Sequence, residues 1–180
     1  WHNNSRDLGF VLNSARSPTD VHSIDIQTGK LERWTYSETG GLDSSTFSEP
    51  ELVRWKSFDG RMISGFYYPA AKRFTGARPV IISIHGGPEG QSRPGYLARW
   101  NYFLNELGVS LIVPNVRGST GYGRTFVDLD NGMKREDSVR DIGALLDWIE
   151  TRPEFDAKRV MVTGAGGSIG IMRVARSPAD

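Results

Sequence analysis

The segment RVMVTGAGGSIG, residues 159–170, holds the residue types with the clearest potential for chemistry, and it fits two motifs. Residues 166–170 form a Gly-x-Ser-x-Gly pattern, in which a strained turn between a strand and a helix exposes a nucleophilic serine, here Ser168. Residues 164–170 also form a glycine-rich turn of the kind that binds a pyrophosphate at the start of a helix. The segment alone supports both interpretations.

A second glycine-rich turn, HGGP at residues 85–88, follows the apolar run PVIISI. In an α/β-hydrolase the loop at this point contributes a backbone N–H to the oxyanion hole, and each such donor can be worth about 3 kcal/mol. We therefore predict that Gly86, Gly87 and the N–H of Ile169 stabilise an oxyanion. His85 is interpreted as a structural loop histidine, because hydrolase triads run Ser, Asp, His along the chain.

The elements that must position these turns alternate between strands and helices from residue 51 onward. Two alternating runs flank an Asp-Gly pair and predict a hairpin over residues 51–69. Three apolar runs, PVIISI, VSLIVPN and RVMVTG, predict buried strands, and helices are expected at 97–107 and 136–150. This alternation predicts a parallel sheet wound with helices, and hence the α/β class.

The first part of the chain has a different character. Residues 8–36 show short alternating strands with a turn glycine and predict a small β region. Residues 37–50 are rich in Ser, Gly and Thr, which is typical of a linker. We therefore place a domain boundary between residues 45 and 46.

The composition excludes several classes of function. Twenty-two Lys and Arg against 21 Asp and Glu give a net charge of +1, so no strong field attracts nucleic acid or anionic lipid. The absence of cysteine excludes a disulfide framework, a thiolate zinc site and a cysteine nucleophile. No apolar run approaches the roughly 20 residues that span a bilayer, and the opening WHNNSRD lacks the apolar core of a signal peptide. We expect a cytoplasmic protein with no metal and no nucleic-acid or membrane partner, and the oligomeric state stays open.

Four motifs stand in order along the second part of the chain: IHGGPEGQ at 84–91, VPNVRGSTGYGRTF at 113–126, GMKREDSVRDIGALLDWI at 132–149 and DAKRVMVTG at 156–164. Together they resemble the catalytic domain of the prolyl oligopeptidase family of serine peptidases, and most of all its acylaminoacyl-peptidase and dipeptidyl-aminopeptidase branch. The resemblance implies an incomplete α/β-hydrolase fold over residues 46–180, preceded by the last strands of a β-propeller over residues 1–45. It also implies hydrolysis of short peptides through an acyl-enzyme, without a cofactor or a metal.

The nucleophile segment departs from the pattern of that family, which is Gly-x-Ser-x-Gly-Gly-x-Met directly after the strand. Without gaps the family serine falls on Gly166, whereas an alignment with gaps makes Ser168 the nucleophile and Met172 the family methionine. The family's catalytic Asp and His would lie beyond residue 180. The resemblance therefore implies a C-terminally truncated catalytic domain that is inactive as this fragment.

The alternative interpretation rests on VTGAGGSIG, which resembles the Thr-Gly-x-x-Gly-x-x-Gly turn of extended short-chain dehydrogenases and nucleotide-sugar dehydratases. In that setting Gly164, Gly167 and Gly170 would allow close approach of an NAD(P) pyrophosphate. The acidic residue expected about 20 positions after the turn would fall past the end of the sequence. A non-catalytic fragment or a chimera joined between residues 163 and 164 stays the second hypothesis.

The RGSTGYG loop and the helix that follows it supply weaker candidates. Arg117 and Tyr122 are predicted to contact substrate from this loop. Trp148 is expected in the core. The carboxylates of the helix are interpreted as a solvated face whose N-terminal members offset the helix dipole; they are Glu136, Asp137, Asp141 and Asp147.

Overall fold

The computed structural model describes residues 1–87 and 89–164 of the chain. The N-terminal part forms a three-stranded antiparallel sheet of β1 (Asp7–Ser14), β2 (Ser17–Asp25) and β3 (Leu31–Arg33), in the order β1-β2-β3. The buried carboxylate of Asp20 links β2 to β3 and the residues that follow it, because it accepts hydrogen bonds from Arg33, Thr35 and Ser37. The short strands predicted here are confirmed.

The second sheet has five strands in the order β4-β5-β7-β6-β8. They are β4 (Glu51–Lys56), β5 (Met62–Tyr68), β6 (Arg78–Ile84), β7 (Ser110–Asn115) and β8 (Phe155–Gly164). The hairpin β4-β5 is antiparallel and joins β7 in antiparallel fashion, whereas β6, β7 and β8 run parallel to one another. The sheet is therefore mixed, with the predicted parallel strands beside the predicted hairpin.

The helices are α1 (Trp100–Asn105), α2 (Arg124–Val127) and α3 (Arg135–Glu150). The prediction for α3 is confirmed to within one residue. Helix α1 is shorter than the predicted 97–107, since Ala98 has a positive φ of 45° before it and Gly108 a φ of 63° after it, and neither value is helical.

Both faces of the five-stranded sheet are covered at its central strands, β6 and β7. Alternating side chains of β6 show this directly, since Ile82 packs in the cluster beneath α3 while Ile81 packs with Leu104 of α1. Helix α3 contributes Ile142, Leu145 and Ile149 to the larger cluster, and Trp148 packs against it. This two-sided burial explains why the sequences of β6 and β7 are continuous apolar runs. The prediction of a buried strand is wrong for most of β8, in which only Phe155 and Val162 are buried and Met161 is 48% exposed.

The segment between the two sheets carries little regular structure, only a single turn of 3₁₀ helix at Ser44–Thr46. Its Phe47 is buried and packs on Tyr96, with the ring centroids 5.8 Å apart. The N–H of Tyr96 donates to Asn13 Oδ1 of β1 at 2.7 Å. In residues 1–87 and 89–164 no helix has the length and apolar character needed to cross a bilayer.

Candidate active site

The carboxyl ends of the three parallel strands lie side by side at one end of the five-stranded sheet, which we call the carboxyl edge. Ile84, the last residue of β6, lies opposite Gly164, the last residue of β8, while β7 ends nearby at Asn115. In open α/β sheets, ligands bind outside the carboxyl ends of the strands. The His-Gly-Gly turn, the loop after β7 and the exit of β8 therefore lie where a site is expected.

The loop that begins with the His-Gly-Gly turn requires glycine at two positions, Gly87 and Gly90. Gly87 has a φ of 134°, and a Cβ there would lie 2.4 Å from the N atom of Glu89. A Cβ on Gly90 would lie 2.5 Å from the Gly86 carbonyl oxygen and 2.7 Å from Nδ1 of His85. Only glycine lets the loop fold this closely on itself.

His85 joins the two loops at this edge. Its Nε2 lies 2.9 Å from Oγ of Ser119, which in turn donates to the Val116 carbonyl at 2.6 Å. A backbone hydrogen bond from Thr120 N to Gly90 O, 2.9 Å long, also joins the two loops. These contacts agree with the interpretation of His85 as a structural loop histidine.

Arg117 was predicted to contact substrate, but its side chain is buried among other protein groups. It is only 2% exposed, and its guanidinium donates to both carboxylate oxygens of Asp141, with Nη2 2.8 Å from Oδ1. Asp59 accepts from the outer edge of the guanidinium, and the ring of Phe58 lies 4.6 Å from Cζ. Burial by itself lowers the pKa of Arg117, but the bonds to Asp141 and Asp59 outweigh it and leave that pKa raised. The guanidinium is thus committed to protein contacts.

The interpretation of the α3 carboxylates as one solvated face is wrong for Asp141, which is fully buried. Its carboxylate accepts from Ser57 Oγ at 2.5 Å and from the N–H of Arg117 at 2.9 Å, in addition to the guanidinium. Glu136 and Asp147 are exposed as expected. A buried arginine-carboxylate pair therefore holds the start of the loop after β7 against α3.

Tyr122, the other predicted substrate contact in this loop, is 41% exposed. Its hydroxyl lies 2.9 Å from Ser64 Oγ and accepts from Asn115 Nδ2 at 3.0 Å. The amide of Asn115 also bonds both backbone groups of Ser92. Tyr122 is consequently a partly exposed side chain whose hydroxyl is held in place at the end of β7.

Asp130 and Asn115 are buried polar residues that the sequence reasoning missed. Asp130 is 1% exposed, and neither carboxylate oxygen has a hydrogen-bond partner in the described part of the chain. Burial raises the pKa of this carboxyl. It packs directly behind the loop, since a Cβ on Gly118 would lie 2.6 Å from Asp130 Cβ.

Several predicted residues lie outside the described residues, so the structure does not place them. They are Ser168, Ile169 and Met172 of the peptidase motif, with Gly166, Gly167 and Gly170. Gly164, the first glycine of the dinucleotide alternative, ends β8 and is exposed. Within residues 1–87 and 89–164, no group of three or more His, Asp or Glu side chains could hold a metal ion.

The strand order and the loops at the carboxyl edge define an α/β protein whose candidate site is built from the turns after β6, β7 and β8. Residues 97–176 match the model of the prolyl oligopeptidase family. The chain is 34% identical over 161 residues to an uncharacterized peptidase, YuxL, of Bacillus subtilis, a match that covers 85% of this chain and 23% of that protein.

A second relative is acylamino-acid-releasing enzyme 2 of Oryza sativa, 30% identical over 103 residues, which covers 56% of this chain and 13% of the relative. Among solved structures, puromycin hydrolase superposes with a TM-score of 0.79 at 27% identity, covering 88% of this chain and 25% of that one. The chain belongs to the prolyl oligopeptidase family of peptidases. It spans about a quarter of the length of relatives such as YuxL.

Proposed function

We propose that this chain forms the first part of the catalytic domain of a serine peptidase that cleaves short peptides, with Ser168 as the nucleophile. The observation that carries the proposal is the pairing of β6 with β8, in which Ile84 lies opposite Gly164. The His-Gly-Gly turn starts one residue after Ile84, and Ser168 follows Gly164 by four residues. A chain of four residues reaches at most about 14 Å, so the proposed position of the serine beside the turn is within reach of the end of β8.

In this proposal Ser168 Oγ attacks the peptide carbonyl carbon and the peptide C–N bond breaks. The acyl group stays on the serine as an acyl-enzyme, and the departing amine takes up the proton that the hydroxyl loses; water then hydrolyses the ester to the acid and free Ser168. The N–H groups of Gly86, Gly87 and Ile169 stabilise the oxyanion, because donors held in place where charge develops lower the barrier. The tight turn at Gly87 and Gly90 supports this role, since only glycine at these positions lets the loop backbone fold so compactly. Tyr122 is proposed as a substrate contact because its side chain is 41% exposed and two hydrogen bonds hold its hydroxyl in place.

The domain assignment is part of the same proposal. Residues 1–45 belong to the end of a β-propeller, supported by the antiparallel order β1-β2-β3, and residues 46–180 to an incomplete α/β-hydrolase domain. No histidine follows His85 in the sequence, so the chain lacks a general base in the Ser, Asp, His order. Because triad members act as a unit, we expect this chain alone to hydrolyse peptides very slowly.

Labelling with a fluorophosphonate tests whether Ser168 is presented as a nucleophile. The chain is incubated with the reagent with and without free imidazole, which can act as the missing base, and the modified residue is located by mass spectrometry. We expect modification of Ser168 that imidazole accelerates, loss of it in Ser168→Ala, and its retention in the matched variant Ser177→Ala. Equal modification of both serines, or none at Ser168 with imidazole present, would contradict the proposal.

A further inference from the structure

A cavity of about 750 Å³ lies away from the candidate active site, between residues 42–51, the turn after β5 and helix α1. It adjoins the amino end of β7, because the N–H of Ala70 in its wall donates to Oγ of Ser110, the first residue of that strand. The candidate active site adjoins the other end of β7, at Asn115. The two ends are five residue steps apart, about 17 Å along the strand.

The wall of this cavity holds polar atoms without partners. Asn101 is 1% exposed, and neither its Oδ1 nor its Nδ2 has a hydrogen-bond partner in the part of the chain that the structure describes. The same holds for Oδ1 of Asn105, one helical turn further along α1, and for Oγ of Ser48 on the facing segment. Buried polar atoms are nearly always paired in native proteins, so these atoms point to a ligand.

The charges at the rim favour a neutral ligand. The charged side chains of the lining nearly balance, with three cations and four anions: Arg16, Lys72 and Arg73, and Asp43, Glu49, Glu51 and Glu106. Arg16 pairs with Glu49 at 2.7 Å, and Arg73 pairs with Glu106 at 2.8 Å. The polar side chains inside, two amides and a hydroxyl, carry no charge that could compensate an ionised ligand. Burial of an uncompensated charge is strongly unfavourable, whereas a neutral amide would find both a donor and an acceptor.

Part of the remaining wall is apolar and suits the body of a small molecule. It includes side chains that offer carbon surface around the polar atoms, namely Leu42, Phe47, Pro69, Ala70 and Tyr102. A volume of about 750 Å³ falls in the range of ligand pockets, which combine apolar walls with a few placed polar groups. The cavity is thus large enough for an acylated amino-acid amide.

We propose that this cavity, which we name the Asn101 cavity after its central residue, binds a neutral ligand that bears a carboxamide or peptide group. The ligand N–H donates to Asn101 Oδ1 and the ligand carbonyl accepts from Asn101 Nδ2, which pairs two amides side by side. Ser48 Oγ donates to or accepts from a second polar atom of the ligand. The inference does not depend on the peptidase activity, because it uses none of the residues at the carboxyl edge.

Calorimetric titration of the full chain with three probes tests this inference. N-acetyl-leucine amide is the neutral ligand, N-acetyl-leucine is its carboxylate control, and leucine amide is its ammonium control. We expect saturable binding of the neutral probe and binding at least about tenfold weaker for both charged probes. Asn101→Leu removes two neutral hydrogen bonds and should weaken the neutral probe about tenfold or more, while the exposed control Asn131→Leu leaves it unchanged.

A second variant keeps the test decisive if Asn101→Leu does not fold. Ser48→Ala lies on the facing segment and should weaken the neutral probe about fivefold, the value of one hydrogen bond. Binding that survives both substitutions would place the probe elsewhere and overturn the inference, as would equal binding of all three probes. A crystal structure grown with the neutral probe that shows only water bonded to Asn101 would also overturn it. Ser168→Ala should leave the binding unchanged, so failure of this inference is separable from failure of the proposed function.

Discussion

Replacement of Asp141 by alanine should destabilise the chain strongly, because it leaves the Arg117 guanidinium buried without its main partner. The two side chains are 3% and 0% exposed, and the carboxylate accepts from Ser57 Oγ and from the backbone and side chain of Arg117. Removal of one member of a buried ion pair costs about 3–5 kcal/mol.

The lower end of that range applies here. Asp59 and Asp137 remain 3.2 Å and 3.7 Å from the guanidinium and retain part of the compensation. We therefore expect a loss of about 3 kcal/mol in the free energy of unfolding. With a urea m-value of about 2 kcal/mol/M, the midpoint should fall by about 1.5 M.

Urea denaturation followed by tryptophan fluorescence measures this change. The matched control is Asp128→Ala, which removes a carboxylate 3.9 Å from the exposed Arg124 and should cost less than about 0.5 kcal/mol. The double variant Arg117→Met/Asp141→Leu should recover most of the loss, since an apolar pair of similar volume needs no compensation. A midpoint for Asp141→Ala equal to that of the control would refute the assignment of a buried ion pair.

Three further predictions concern the two loops and the nucleotide alternative. The pKa of the Asp130 carboxyl is raised in the folded state, so its ionisation destabilises the fold as pH rises above about 4. Asp130→Asn should therefore raise the free energy of unfolding at pH 7 but not at pH 3, as measured by urea denaturation at both pH values. Gly87→Ala places a Cβ 2.4 Å from a backbone atom and should abolish fluorophosphonate labelling of Ser168. The control Gly143→Ala lies on α3 with open space around it, so it should raise the free energy of unfolding by about 0.5–1 kcal/mol and leave the labelling intact. Addition of millimolar NAD or NADP should leave the melting temperature unchanged, and a clear rise would instead support a dinucleotide site.

The elements that the sequence predicted well are those whose pattern is local. The runs PVIISI and VSLIVPN form β6 and β7 because a strand buried on both faces needs apolar residues at every position. The Asp-Gly pair at residues 59–60 forms the predicted turn of a hairpin, with Gly60 at a φ of 81°. Helix α3 followed from the spacing of Ile142, Leu145 and Ile149.

The sheet order was beyond such reasoning, because it depends on pairing between distant strands. Nothing local to β7 indicates that it inserts between β5 and β6. The shortening of α1 was likewise hidden, since alanine is a strong helix former and the positive φ of Ala98 arises from the tertiary course of the loop. Val139 shows the same limit of reasoning from local patterns, because it fits the helical period of the apolar residues of α3 but is exposed.

The largest misreading within the site region concerned Asp141, and the sequence did contain a signal for it. Asp141 lies four residues before Leu145 and next to Ile142, so helical spacing places it on the buried side of α3. A carboxylate on that side requires a cation, and Arg117 was available after β7. The pairing was missed because carboxylates near a helix start are usually solvated.

A crystal structure of the chain with a phosphonate bonded to Ser168 Oγ would test the proposed catalytic edge most directly. We predict that a phosphonyl oxygen lies about 2.7–3.1 Å from the backbone N atom of Gly86 or Gly87. We also predict that the adduct faces the hydroxyl of Tyr122. An adduct whose oxygens contact neither glycine, or a Ser168 side chain turned into the core beneath α3, would contradict the proposed active site.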